Sequence, residues 1–279
     1  MIQADDALPF VILAYGRFAP KRLHLVLEST PRETTPEIDA AITATWDEQL
    51  RAAQAAGRVL FNGDMLRYIA HEQTTTPDGD ALTLRVGPTN YRDFVGTNLF
   101  NRHRVEEFGW HRFSNPIGTT ATILTTDGYL CYGRRSSRVS YHANHVHTFG
   151  GALEACDAGP DGRVDAFASV LRELREELAL ERFDIREIVC AGLIRDREIY
   201  QPEMLFEASI ELTADELTTH WQQAESRDEH EAIVRLRNEP GAIAPFLATC
   251  GPIAPVAVGA LMLYGRNCWG AEWYKQCRI

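Results

Sequence analysis

Apolar positions along this chain change period several times, and each change marks an element. Segments 10–15 and 23–27 read as strands joined by a turn at 16–22. The 3.6-residue period of 38–55 predicts a helix closed by Gly57. Short strands at 60–61 and 66–70 flank Asn62-Gly63-Asp64, a hairpin signal, and 82–86 reads as another strand. A segment opening at Tyr91 reaches about Trp110. Strands at 120–125 and 129–132 flank a second hairpin signal, Asp127-Gly128. Further on, 183–194, 203–212 and 232–236 read as strands, and 215–224 and 255–264 as helices. A boundary near Asn115-Pro116 divides a β-rich N-terminal domain, 1–115, from a second domain, 116–279.

One helical stretch carries more chemistry than the others. Phe167, Val170, Leu171, Leu174 and Leu178 fall on one narrow face, and Asp165 is the predicted N-cap. Glu173 and Glu177 are four residues apart and neighbour each other on the flank of that face. Glu176 sits further round toward solvent, within reach of Arg172. Such crowding of carboxylates suits a solvated, charge-laced surface. It equally suits a hard divalent cation such as Mg²⁺, bound through one or two carboxylates plus substrate phosphates.

Composition narrows the setting. The chain has 279 residues, 45% hydrophobic and 24% charged, as expected of a globular protein of one large or two modest domains. Its 39 acidic and 28 basic residues leave a formal charge of −11 with no basic block, which argues against nucleic acid as a partner. The six cysteines are widely spread with no CxxC, as expected of free thiols in a reducing, cytoplasmic compartment. Neither a signal-peptide pattern nor an apolar run of about 18 residues appears, so no membrane association is expected.

Upstream of the helix lie Gly150-Gly151, a pair that permits close backbone approach to a ligand. Glycine, an acidic residue, a loop and then Arg172-Glu173-Leu174-Arg175-Glu176-Glu177 resembles the signature box of the Nudix hydrolases. Gly151 matches the first glycine, Asp157 stands where the first Glu is expected, and Leu180 matches the final apolar position. Two departures stand out. Fourteen residues separate Asp157 from Arg172 where the family has seven, and Ala179 replaces the last glycine. The likeness extends along the chain in order. Residues 39–46, Tyr91-Arg92-Asp93-Phe94-Val95-Gly96-Thr97-Asn98, Glu203, His230-Glu231 and 259–266 are similar to stretches of the mammalian-type branch that cleaves UDP-glucose and UDP-galactose.

The resemblance implies an α+β class protein: a Nudix α/β/α sandwich with a mixed sheet, preceded by a smaller β-rich domain. It implies hydrolysis of UDP-sugars to UMP and sugar 1-phosphate with Mg²⁺, or Mn²⁺, as cofactor and a small nucleotide as the substrate partner. Another nucleoside diphosphate compound (ADP-ribose, NADH or coenzyme A) and a non-catalytic nucleotide-binding module are the alternatives. On this reading Glu173 and Glu177 are metal ligands, Glu176 is a third, and Arg172 orients Glu176. Gly150 and Gly151 bring backbone N–H groups toward phosphate or metal. Glu203 is the candidate general base, with His230 and Glu231 as another option. Tyr91, Arg92, Asp93 and Asn98 are candidate stacking, phosphate-clamping and hydrogen-bonding groups. Arg134, with Arg135 and Arg138, is positioned by the hairpin to meet a diphosphate. His142, His145 and His147 are assigned to a loop near the site's rim rather than to zinc.

Overall fold

The computed structural model describes residues 8–77, 79–139 and 141–277. Its strands are β1 (Phe10–Phe18), β2 (Leu23–Leu27), β3 (Asp64–Thr76), β4 (Gly79–Asn90), β5 (Gly118–Leu124), β6 (Tyr129–Arg135), β7 (Val146–His147), β8 (Phe149–Ala152), β9 (Arg163–Val164), β10 (Ile185–Asp196), β11 (Pro202–Ile210) and β12 (His230–Arg237). They form an eight-stranded sheet in the order β1-β10-β11-β5-β6-β12, with β7 on β6 and β8 on β5, and a four-stranded sheet in the order β3-β4-β2-β9. In the larger sheet β11 and β5 run parallel and the remaining pairs antiparallel, which makes it mixed.

Helices cover both faces of the large sheet. On one face Val170, Leu174 and Leu178 of the acidic helix Ala166–Leu178 share a buried cluster with Leu217 and Trp221 of helix Ala214–Trp221. Leu25, Leu66, Leu82, Leu84 and Val86 of the small sheet complete that cluster, so the two sheets share one core. On the other face Val256, Leu261 and Leu263 of helix Pro255–Gln276 pack against Phe10, Ile194 and Leu205. Burying each of these side chains contributes about 1.5–3 kcal/mol. The α+β class and the layered sandwich predicted from the sequence are what the chain forms.

Several local expectations fail for identifiable reasons. The strand at 10–15 extends through Phe18 and pairs with β10 in the large sheet, while β2 lies parallel to β4 in the small one. Segments 10–15 and 23–27 are therefore not partners; a 3-10 turn, Pro20–Arg22, carries the chain between sheets. Sheet membership thus crosses the 115/116 boundary in both directions, since β9, from the second part, pairs with β2. Leu60 and Phe61 form no strand, and Asn62-Gly63 is no hairpin turn. Asn62 Oδ1 instead accepts the Arg92 N–H at 2.7 Å, and β3 runs on through the β-branched 74–76 to pair with Gly79. The C-terminal helix continues past 264 to Gln276, with a non-helical break at Gly270.

The fourteen residues between Asp157 and Arg172 also find a place. β9 lies in them and pairs antiparallel with β2 through Leu25 and Val26. The insertion thereby ties the small sheet to the start of the acidic helix, which follows at Ala166.

Candidate active site

The acidic helix starts where Asp165 accepts the Ala168 N–H at 2.9 Å, the predicted N-cap. It ends at Ala179, which adopts a left-handed conformation with φ 54°. Non-glycine residues pay about 1–2 kcal/mol there, so the missing glycine is a defect of the helix end and leaves the acidic face untouched.

That face is not solvated. Glu177 is 2% exposed, and Glu173 is half-buried. The Gly150 N–H donates to Glu177 Oε2 at 3.0 Å. A Cβ placed on Gly151 would stand 2.6 Å from the Glu173 carboxylate, and one on Gly150, which has φ 146°, would strike the Thr119 carbonyl at 2.0 Å. The glycine pair is therefore needed to let β8 lie against two carboxylates. The Gly150 N–H is committed to Glu177, so of the two expected targets, phosphate or metal, it is not free for phosphate and stands beside a candidate metal ligand.

Burial shapes the electrostatics. Desolvation, then the neighbouring charge of Glu177, pushes Glu173 up to about 8 against the pull of Arg172. Desolvation, helped by the charge of Glu176, outweighs Arg135 and the Gly150 hydrogen bond to push Glu177 up to about 8. Two carboxyls that resist ionising side by side gain most from a cation between them. Among the described residues no cluster of three or more His, Cys, Asp or Glu forms a ready metal cage. A pair of hard oxygen donors still fits Mg²⁺, whose other positions go to water and phosphate oxygens. Glu176 is half-buried, and its charge raises both neighbours.

Arg172 does not orient Glu176. It pairs with Asp157, and its Nη2 lies 3.3 Å from Glu173 Oε1 and 3.8 Å from Glu154 Oε2. The insertion that separates Asp157 from Arg172 in sequence folds back so that the two meet. Asp157 also accepts the Glu154 N–H at 2.8 Å, so it is tied up as an anchor for Arg172.

A cavity of about 160 Å³ lies beside the glycine pair. Its lining includes the apolar Met65, Tyr91, Phe94 and Tyr141 and the polar Arg135, His147 and Glu203. Tyr91 packs on Trp46 and Phe94, as expected of an aromatic wall. Glu203 is 7% exposed, held across from Gly118 by the β11–β5 register, and burial drives its carboxyl well above the usual range. His230 is 2% exposed, its Nε2 lies 3.4 Å from Glu177 Oε2, and burial pushes it down to about 4. Glu231 instead turns outward, accepting the Ser137 N–H at 3.1 Å.

Four predicted binding residues are built into the scaffold instead. Arg92 donates to Thr43 Oγ1 at 2.7 Å and does not line the cavity. Asp93 pairs with Arg32 at 2.7 Å, not with Arg92. Asn98 is fully buried; its Nδ2 donates to Asn115 Oδ1 and the Ile199 carbonyl, and its Oδ1 accepts the Asn115 N–H. Arg134 donates to the carbonyls of Asn144 at 2.9 Å and Cys250 at 2.7 Å, away from the cavity. Successive strand residues face opposite sides, and Arg134 shares a side with Tyr132 in the C-terminal helix cluster. Arg135 shares its side with Cys131, in the cluster of the acidic helix. That alternation was readable in 131–135 and singles out Arg135 over its neighbour.

His142, His145 and His147 stand with ring centroids 5.3 and 6.0 Å from that of His142, and His147 reaches the cavity wall. Burial pushes His142 down to about 4. Among the described residues no helix is long and apolar enough to cross a membrane.

No family model matches the chain. It is 28% identical over 261 residues to the uridine diphosphate glucose pyrophosphatase NUDT22 of Homo sapiens, covering 84% of each chain. It is 25% identical over 230 residues to Nudix hydrolase 9 of Arabidopsis thaliana, covering 70% of each. Among solved structures, the NUDIX domain of Shewanella oneidensis NrtR complexed with ADP ribose is 13% identical and overlaps with a TM-score of 0.41, covering 60% of this chain and 98% of that one.

Proposed function

We propose that this chain, a homologue of the Nudix proteins just described, hydrolyses the diphosphate of a UDP-sugar, UDP-glucose or UDP-galactose, to UMP and sugar 1-phosphate with Mg²⁺, or Mn²⁺ in its place. The observation that carries the reading is the carboxylate pair of half-buried Glu173 and buried Glu177, pressed against Gly150 and Gly151. An isolated solvated face gives no reason for glycines opposite it. The human relative, a uridine diphosphate glucose pyrophosphatase by name, supplies the substrate class.

Water attacks one phosphorus of the diphosphate, the bridging oxygen departs with the other phosphoryl group, and the water's protons pass to the protein and the products. When bound, a divalent cation neutralises the charge growing on the phosphoryl oxygens. Glu173 and Glu177 hold it, with Glu176 contributing negative charge at the same helix edge. Arg172, anchored by Asp157, fixes the position of Glu173. Glu203 takes up a proton from the attacking water; its buried carboxyl in the cavity lining supports that role. Tyr91, Phe94 and Tyr141 give a nucleobase its apolar wall.

A panel of UDP-glucose, UDP-galactose, ADP-ribose and NADH with Mg²⁺, read as phosphate released by a coupled phosphatase, tests the reading. Turnover fastest on the UDP-sugars is expected. Preference for ADP-ribose or NADH would reassign the substrate, and no turnover on any would leave a nucleotide-binding module.

A further inference from the structure

Arg135 stands out once the cavity is described. Its residue is 7% exposed, and its Nε finds no hydrogen-bond partner. Among the described residues its side chain forms no ion pair and no hydrogen bond; the guanidinium lies over the Tyr141 ring, its central carbon 5.5 Å from the ring centre. Acidic groups are nearby: its charge is felt at Glu177, Glu203 and Glu229. None approaches to ion-pair distance. Burying a guanidinium without a partner costs several kcal/mol, and a chain that keeps one gains from it in another state.

Geometry says what that state is. Arg135 ends β6, opposite His230 in the register, and lines the same cavity as Gly150, Gly151, Tyr91 and Tyr141. A ligand with a base against Tyr91 and Tyr141 and its diphosphate beside the glycine pair brings phosphate oxygens into the cavity that Arg135 lines. Guanidinium forks match phosphate oxygens bidentately. Tyr141 beneath the guanidinium limits its freedom, so it is ordered before the anion arrives. Of the other candidate cations, Arg134 is engaged on carbonyls and Arg172 on Asp157, and Arg138 lines neighbouring pockets rather than this cavity.

We propose that Arg135 is the anion clamp of this site, its guanidinium binding non-bridging oxygens of the substrate diphosphate. This rests on the diphosphate reading above, and the test separates the two. Calorimetric titration of inorganic pyrophosphate with Mg²⁺ into the full-length protein compares wild type with Arg135→Gln and Arg135→Lys. The expected result is measurable affinity in wild type, a loss of roughly 10- to 100-fold in Arg135→Gln, as for a lost charge-assisted hydrogen-bond pair, and a smaller loss in Arg135→Lys. Thermal unfolding of Arg135→Gln should occur at or above the wild-type temperature, because an unpaired buried charge has gone. Equal affinity in all three proteins overturns the clamp, as does absence of pyrophosphate binding in wild type. Unchanged affinity with a lowered unfolding temperature makes Arg135 structural and overturns it as well. Affinity lost in Arg135→Gln, with no turnover on the nucleotide panel, keeps the clamp and removes the hydrolase reading alone.

Discussion

The acidic helix packs against the glycine pair of the cavity wall and segment 91–98 lines that cavity, and the two use their polar side chains in opposite ways. On the helix, the residues nominated for chemistry, Glu173 and Glu177, point where chemistry needs them and meet few protein partners. In 91–98 only the aromatic side chains, Tyr91 and Phe94, keep a place on the cavity wall. Arg92, Asp93 and Asn98 are consumed by Thr43, Arg32, Asn115 and the Ile199 carbonyl. The difference follows from backbone geometry. A regular helix fixes which residues share a face whatever it packs against. Segment 91–98 passes from one helical turn into a π turn, Val95–Leu99, and is buried, so its polar groups go to satisfying backbone and neighbours.

Substitutions in the two regions should separate accordingly. The largest effect belongs to the helix. Glu177→Gln should lower kcat by roughly 1,000-fold, about 4 kcal/mol of transition-state stabilisation, with circular dichroism unchanged. Retention of a tenth of wild-type turnover would return the helix to the role of a charged surface. Asn98→Ala should act on stability instead. It strands the Asn115 side chain and N–H and the Ile199 carbonyl, at about 3 kcal/mol in denaturant unfolding. A stable Asn98→Ala protein that has lost only substrate affinity would restore Asn98 as a ligand.

The turn that receives Asn98 carries a pH signature. Asp196 accepts the Ile199 N–H at 2.9 Å, is 2% exposed, and desolvation pushes its carboxyl from 3.8 up to about 6. The folded state then holds a proton that the unfolded state has released, so this contribution to stability is full below about pH 4 and is lost as pH rises to about 6. The loss amounts to about 3 kcal/mol. Asp196→Asn should remove that slope from the difference between the two unfolding curves. Parallel curves for the two proteins between pH 4 and 6 would show that Asp196 is ionised throughout. Smaller still, Ala179→Gly should raise stability by about 1 kcal/mol by relieving the left-handed helix end; a loss would mean that the Ala179 methyl packs usefully.

Legibility in the sequence followed the same division. The apolar stripe 167–178, its N-cap and the pairing of Glu173 with Glu177 were all readable from period and spacing. So was the Asp127-Gly128 hairpin, because the local turn decides it. What escaped depends on long-range pairing. β1 joins β10 across 170 residues or more of chain, and β9 docks on β2. No local pattern encodes either. The recovery of Asp157 by Arg172 was hidden by the insertion, which separates in sequence what the fold rejoins. Arg135 was distinguishable from Arg134 by strand alternation, but the cavity that makes its lack of a partner informative exists only in three dimensions.

Whether Glu173 and Glu177 bind a cation decides the account. Titrating Mn²⁺ into the protein and following the free-ion electron paramagnetic resonance signal measures this without substrate or turnover. The account predicts saturable binding in wild type and at least tenfold weaker binding in both Glu173→Gln and Glu177→Gln, each still folded. Identical Mn²⁺ isotherms for all three proteins would contradict it and leave the acidic helix without its metal.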